Sequence, residues 1–176
     1  MRNAAHIGAA YLIILVLGAV WRLFPVQSMP DIVALVAAYL GLTAREQLAP
    51  AMFGAVILGY LADLLGGTPK GLMALTAAVV CVVGHVVHRR ILVRGLGATM
   101  TFAFFTGLAA GVFVLIIRAF YGYMPAGLWA DLGVLFGSAL LTGLAGPVMF
   151  RISRALDTRF ARTLRERDVA LDGRMP

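Results

Sequence analysis

From Gly95 to Ile117 the chain carries no charged side chain, and five other apolar stretches flank that run. The six segments are 4–23, 30–42, 48–65, 71–87, 96–117 and 128–150. Most reach the roughly 20 residues that cross a bilayer as helix. A 176-residue soluble domain cannot hide so much apolar surface. Within lipid only helices and closed barrels satisfy every backbone group, and runs this long exclude strands. The fold class is therefore all-α: a polytopic membrane protein with six transmembrane helices in a compact bundle. Composition agrees, with 61% apolar residues, 13% charged residues and a mean hydropathy of +0.93. The first segment exceeds the apolar core of a signal peptide and five more follow, so it reads as a retained span. The second is short. It must begin nearer Pro25, thin the membrane locally, or tilt against its neighbours.

The formal net charge is +7, but the basic residues flank apolar segments, a pattern that suits membrane orientation and anionic lipid and not nucleic acid. With the N-terminus in the cytoplasm, the inner face holds Arg2, Arg45, Arg89, Arg90 and Arg94. It also holds arginines 151, 154, 159, 162, 165, 167 and 174, which makes twelve. The outer face holds three: Arg22, Lys70 and Arg118. That bias places both termini inside. Trp21, Phe24, Phe120, Tyr121, Tyr123 and Trp129 mark the outer interface. Composition turns arginine-rich at Arg151, which divides the chain into a membrane domain, 1–150, and a basic cytoplasmic tail, 151–176. In the tail Ile152, Leu156, Phe160 and Leu164 recur every four residues. Either the last helix runs on into the cytoplasm, or this segment lies on the inner leaflet as a basic amphipathic helix.

The stretch GAVILGYLADLLGGTPKGLMAL organises the middle of the chain. An apolar helix carries one acid, Asp63. A break follows, and a second apolar helix begins at once. Ala55, Gly59, Asp63 and Gly67 are spaced by four, so one stripe of small residues includes the acid. Thr68 fits an N-cap and Pro69 the first helical position, which brings the positive end of the second helix near Asp63. Gly107 and Gly111, extended back by Ala103, and Gly133 and Gly137 form further small-residue faces. These serve packing within the bundle, dimerisation, or capture of a partner's helix.

Catalytic signatures are absent: no nucleophile elbow, no HExxH, no phosphate loop and no GxGxxG. Ser138 is expected to bond its own helix backbone. His85 and His88 are read as interfacial packing, with no metal and no cofactor. Asp31, after Pro30, is read as capping a helix start, and Asp131 likewise. Arg118 snorkels to the headgroups. Asp63 either holds the hairpin together or lines a polar pocket with the outer charges, and the two roles are compatible.

Pro30–Asp31, Gly59, Asp63 and the turn through Pro69 and Gly71 form the order PD…GxxxDLLxxxPxGLxAL. This pattern, over 30–75, resembles the rod shape-determining protein MreD family, and chain length and helix number agree. The resemblance implies a non-enzymatic inner-membrane component of the bacterial elongation machinery. It implies binding to MreC, and through it a link between MreB filaments and the polymerase RodA with its transpeptidase. That family is also similar to the S-components of energy-coupling-factor transporters, six-helix binders of small molecules. The candidate partner or pocket residues are thus Asp31, Asp63, Pro69, Gly71 and Arg118. The candidate packing residues are Gly59, Gly107, Gly111, Gly133 and Gly137, with Gly107 and Gly111 as the docking face for MreC's membrane helix. The alternative function is an S-component-like binder of a small molecule or lipid-linked precursor.

Overall fold

The computed structural model describes residues 2–21, 28–44, 48–66, 69–90, 95–120 and 128–171. Side chains are described for 7–16, 28–44, 48–66, 69–87, 95–120 and 131–159. Six helices occur among them: α1 (Arg2–Trp21), α2 (Ile32–Thr43), α3 (Leu48–Gly66), α4 (Leu72–Arg90), α5 (Leu96–Phe120) and α6 (Leu128–Leu171). Among the described residues, Leu48–Gly66, Leu96–Phe120 and Asp131–Arg159 are long and apolar enough to cross a membrane. Ile7–Val16, Ile32–Thr43 and Leu72–Val87 are shorter apolar helical stretches. Among the described residues the secondary structure is all helical, and three of the helices have the length and composition of membrane spans.

The bundle is built around α2. Every residue from Ile32 to Gly41 is buried, and α2 touches each of the other five helices. Large exposed apolar side chains occur on α1, α3, α4, α5 and α6, among them Phe53, Phe105, Leu144 and Val148. In lipid such side chains cost nothing, so the outer helices can be apolar all round. Small residues set the inner spacing. A Cβ on Gly84 would stand 2.7 Å from the Ala38 carbonyl oxygen, and one on Gly41 would meet the backbone of Cys81 and His85. Close backbone approach of this kind is how helices associate without a hydrophobic drive.

α2 does not begin near Pro25. Residues 28–31 are non-helical, and the 12-residue helix is about 18 Å long, well short of a hydrocarbon core of about 30 Å. An earlier start does not make up the difference. A run of non-helical backbone leads into the helix instead, held against other helices. Such backbone survives at membrane depth only when protein satisfies it.

α5 and α6 form an antiparallel hairpin. Gly111 faces Leu135, Gly107 faces Thr142, Gly143 faces Phe104 and Gly146 faces Ala103. Phe104 and Phe136 pack edge to face with centroids 5.7 Å apart. α6 continues through Arg151 as one helix as far as Leu171, as expected if the last helix runs on beyond the apolar stretch. Pro147 lies inside α6 and removes the donor that would bond the Gly143 carbonyl.

Candidate functional site

Among the described residues, polar side chains link one helix to another in two main places. The first is the turn between α3 and α4. Asp63 is 2% exposed, and its carboxylate reaches across to the start of α4. Asp63 Oδ2 accepts from the Gly71 N–H at 2.9 Å, and both oxygens accept from Met73, at 3.0 and 3.1 Å. Ala74 N–H donates to Oδ2 at 3.4 Å. The Leu72 N–H goes to the Pro69 carbonyl at 3.1 Å, and the Leu75 N–H makes the first intrahelical bond, to Gly71. Every donor of α4's first turn is thereby satisfied, three of them by one carboxylate from another helix. The helix dipole adds to the attraction.

The local sequence explains why the cap comes from outside. Gly71 supplies the carbonyl that opens α4 but has φ +98, a conformation that L side chains rarely adopt. A residue there has no side chain to cap with, so Asp63 takes the role. Gly59 makes this possible. A Cβ on it would stand 2.6 Å from the Ala74 Cα, so only glycine lets α4's first turn close onto α3. The expectation that Pro69 occupies the first helical position is corrected: α4 starts at Leu72, and Pro69 lies exposed in the turn before it. Thr68 and Gly67 lie outside the described residues.

The second place is the seam between α2 and α6. Asp31 caps α2, accepting from the Ala34 N–H at 2.8 Å. Its own N–H donates to Thr142 Oγ1 at 2.9 Å. Thr142 in turn donates to the Ser138 carbonyl at 2.7 Å. Ser138 does not bond its own helix, as its residue type suggested. Its hydroxyl donates to the Met29 carbonyl at 2.6 Å. Ser28 donates to the Val134 carbonyl at 3.4 Å, and Gly137 makes room for it: a Cβ there would be 2.6 Å from Ser28 Oγ. Farther along the seam the Tyr39 hydroxyl donates to Asp157 Oδ2 at 2.6 Å, and the Tyr39 ring tilts against Phe150 at 5.5 Å. No sequence signal singled out Ser28, Tyr39, Thr142 or Asp157.

The remaining expectations divide. Arg118 is exposed in the last turn of α5, where a cation suits the dipole. Among the described residues neither Arg118 nor Lys70 forms an ion pair, and Arg22 lies outside them. Gly107 and Gly111 face α6 of this same chain, so they are not an open docking face; Leu135 Cγ would lie 3.0 Å from a Cβ on Gly111. For Gly133, among the described residues nothing lies within 4 Å of its Cβ position. Among the described residues no group of three or more His, Cys, Asp or Glu could hold a metal. His85 is buried and its Nδ1 has no hydrogen-bond partner among the described residues. No family model matches this chain, and neither does any curated protein or solved structure.

Proposed function

We propose that this chain is a non-enzymatic scaffold of the bacterial inner membrane, crossing it six times with both termini in the cytoplasm. In this reading it serves the elongation machinery as the MreD family does, binding MreC and helping couple MreB filaments to peptidoglycan synthesis by RodA and its transpeptidase. The observation that carries the reading is the use of Asp63. The motif that resembles the family runs through Asp31, Gly59, Asp63 and Gly71, and here each of these residues has an architectural job. Asp31 caps α2, Asp63 caps α4, Gly59 allows the close approach and Gly71 makes the turn. A pattern whose residues lock one bundle geometry suits a protein that presents fixed faces to others.

The S-component-like alternative drew on a polar pocket around Asp63. That carboxylate is engaged by three backbone N–H groups, which favours the scaffold. A partner's membrane helix then uses a face other than Gly107 and Gly111. One open face among the described residues is an apolar groove of about 730 Å³ between α4 and α5, lined by Val79, Val83, Phe102, Phe105 and Phe113.

Depletion of the protein in its native host tests the reading. Loss of rod shape, restored by the wild-type gene, is the expected outcome. Cells that keep their shape and width under depletion overturn it. A ligand that raises the melting temperature of the purified chain would support the alternative.

A further inference from the structure

We infer that α6 carries a binding site for one anionic glycerophospholipid, with Arg151 and Arg154 on the phosphate and the exposed stripe Leu140–Leu144–Val148 along an acyl chain. The site lies in whichever leaflet meets that end of α6, so it does not depend on the scaffold reading or on the orientation of the termini.

Helical spacing puts Leu140, Leu144 and Val148 in one row, and they are 48%, 59% and 60% exposed. Arg151 continues the row just past the apolar stretch, and Arg154 follows one turn later, also exposed. The row from Leu140 to Arg151 is about 16 Å long, half of a hydrocarbon core of about 30 Å. It therefore matches the depth of one leaflet. A lipid phosphate at the interface would meet both guanidinium groups while its chain lies on the leucines and the valine.

Charge selects the occupant. Neither Arg151 nor Arg154 has an ion pair among the described residues. The acid nearest to them along the helix, Asp157, holds the Tyr39 hydroxyl. Two arginines without a counter-ion prefer a phosphodiester that carries no amine of its own. The helix is also fixed at this height. Ser153 is 3% exposed, and the Tyr39–Asp157 bond ties α6 to the central helix beyond both arginines. The clamp is held in place by the bundle.

The test is native mass spectrometry of the full chain in neutral detergent, titrated with phosphatidylglycerol or with phosphatidylcholine of the same chain length. The wild type is expected to retain phosphatidylglycerol about thirtyfold better, at roughly 1 kcal/mol for each of two basic groups at a headgroup. Arg151→Gln with Arg154→Gln should remove the preference. Arg162→Gln with Arg165→Gln, which removes the same charge farther along α6, should keep it. Equal retention of the two lipids by the wild type overturns the inference. So does equal loss in the two double variants, which would mean diffuse attraction to a basic segment. Competition by glycerophosphoglycerol or inorganic phosphate as strong as by the intact lipid also overturns it, since the acyl row would then have no part. If the glutamine pair fails to fold, Arg151→Lys with Arg154→Lys replaces it: charge is kept and the arginine fork is lost, and the preference is expected to fall but persist. A preference unchanged by lysine then overturns the guanidinium clamp.

Discussion

The Tyr39 hydroxyl lies 2.6 Å from Asp157 Oδ2, joining the buried helix at the centre of the bundle to a residue well past the apolar stretch of α6. The bond makes the first turns of the arginine-rich segment part of the folded body. Buried hydrogen bonds to a charged group are worth roughly 1.5–3 kcal/mol. Tyr39→Phe is expected to lower stability by about 2 kcal/mol and to loosen α6 beyond Ser153. Hydrogen exchange of 151–159 in detergent checks this. Unchanged protection there would mean that the bond does not hold the segment.

Asp63 should be the costliest polar residue to replace. Asp63→Ala leaves the N–H groups of Gly71, Met73 and Ala74 without their acceptor in a buried place. The expected loss is about 3 kcal/mol or more, at roughly 1–3 kcal/mol for each buried unsatisfied donor. Asp63→Asn keeps one acceptor oxygen and should lose about half as much. Chemical unfolding in mixed micelles, read by helical signal, measures both. Equal stability of the wild type and the alanine variant would contradict the cap.

The glycines make a contrast. Gly107→Leu drives a side chain into Thr142, whose Cβ would lie 2.9 Å from a Cβ on Gly107. Overpacking of this kind costs roughly 1–3 kcal/mol. Among the described residues nothing lies within 4 Å of a Cβ on Gly133, so Gly133→Leu should cost less than Gly107→Leu. If the two variants melt alike, the α5–α6 seam is not packed as described.

Thr142→Val preserves shape and removes the acceptor for the Asp31 N–H. A loss of about 1–2 kcal/mol is expected from the orphaned donor. Thr142→Ser keeps the hydroxyl and should recover most of it. A valine variant as stable as the wild type would mean that the entry to α2 does not depend on this bond.

Much of the architecture was legible in the residues. Long uncharged runs force helices in lipid, and the six helices start within a few residues of the expected segments; α6 runs on past Phe150 to Leu171, and α2 starts at Ile32, not nearer Pro25. That start was hidden because apolar content does not distinguish helix from buried extended backbone; what decides is whether hydroxyls elsewhere can satisfy it. Ser138 and Thr142 do so from more than a hundred residues away, and hydroxyls in a membrane helix commonly bond their own turn. The proximity of Asp63 to α4 followed from the small-residue stripe and the break after it. Its full use as a cap did not, because Thr68 and Pro69 offered a local alternative and the positive φ of Gly71 has no signature beyond glycine itself. Gly133 and Gly137 share one spacing, yet among the described residues only Gly137 faces another element, since spacing gives a face without saying what covers it.

The scaffold reading is tested most directly by co-expressing the full chain with MreC of the same host and isolating the chain in mild detergent. MreC is expected to remain with it through size exclusion, and Val83→Cys or Phe105→Cys should crosslink to MreC's membrane helix. If MreC elutes separately while the chain stays folded and monodisperse, the protein is not such a scaffold.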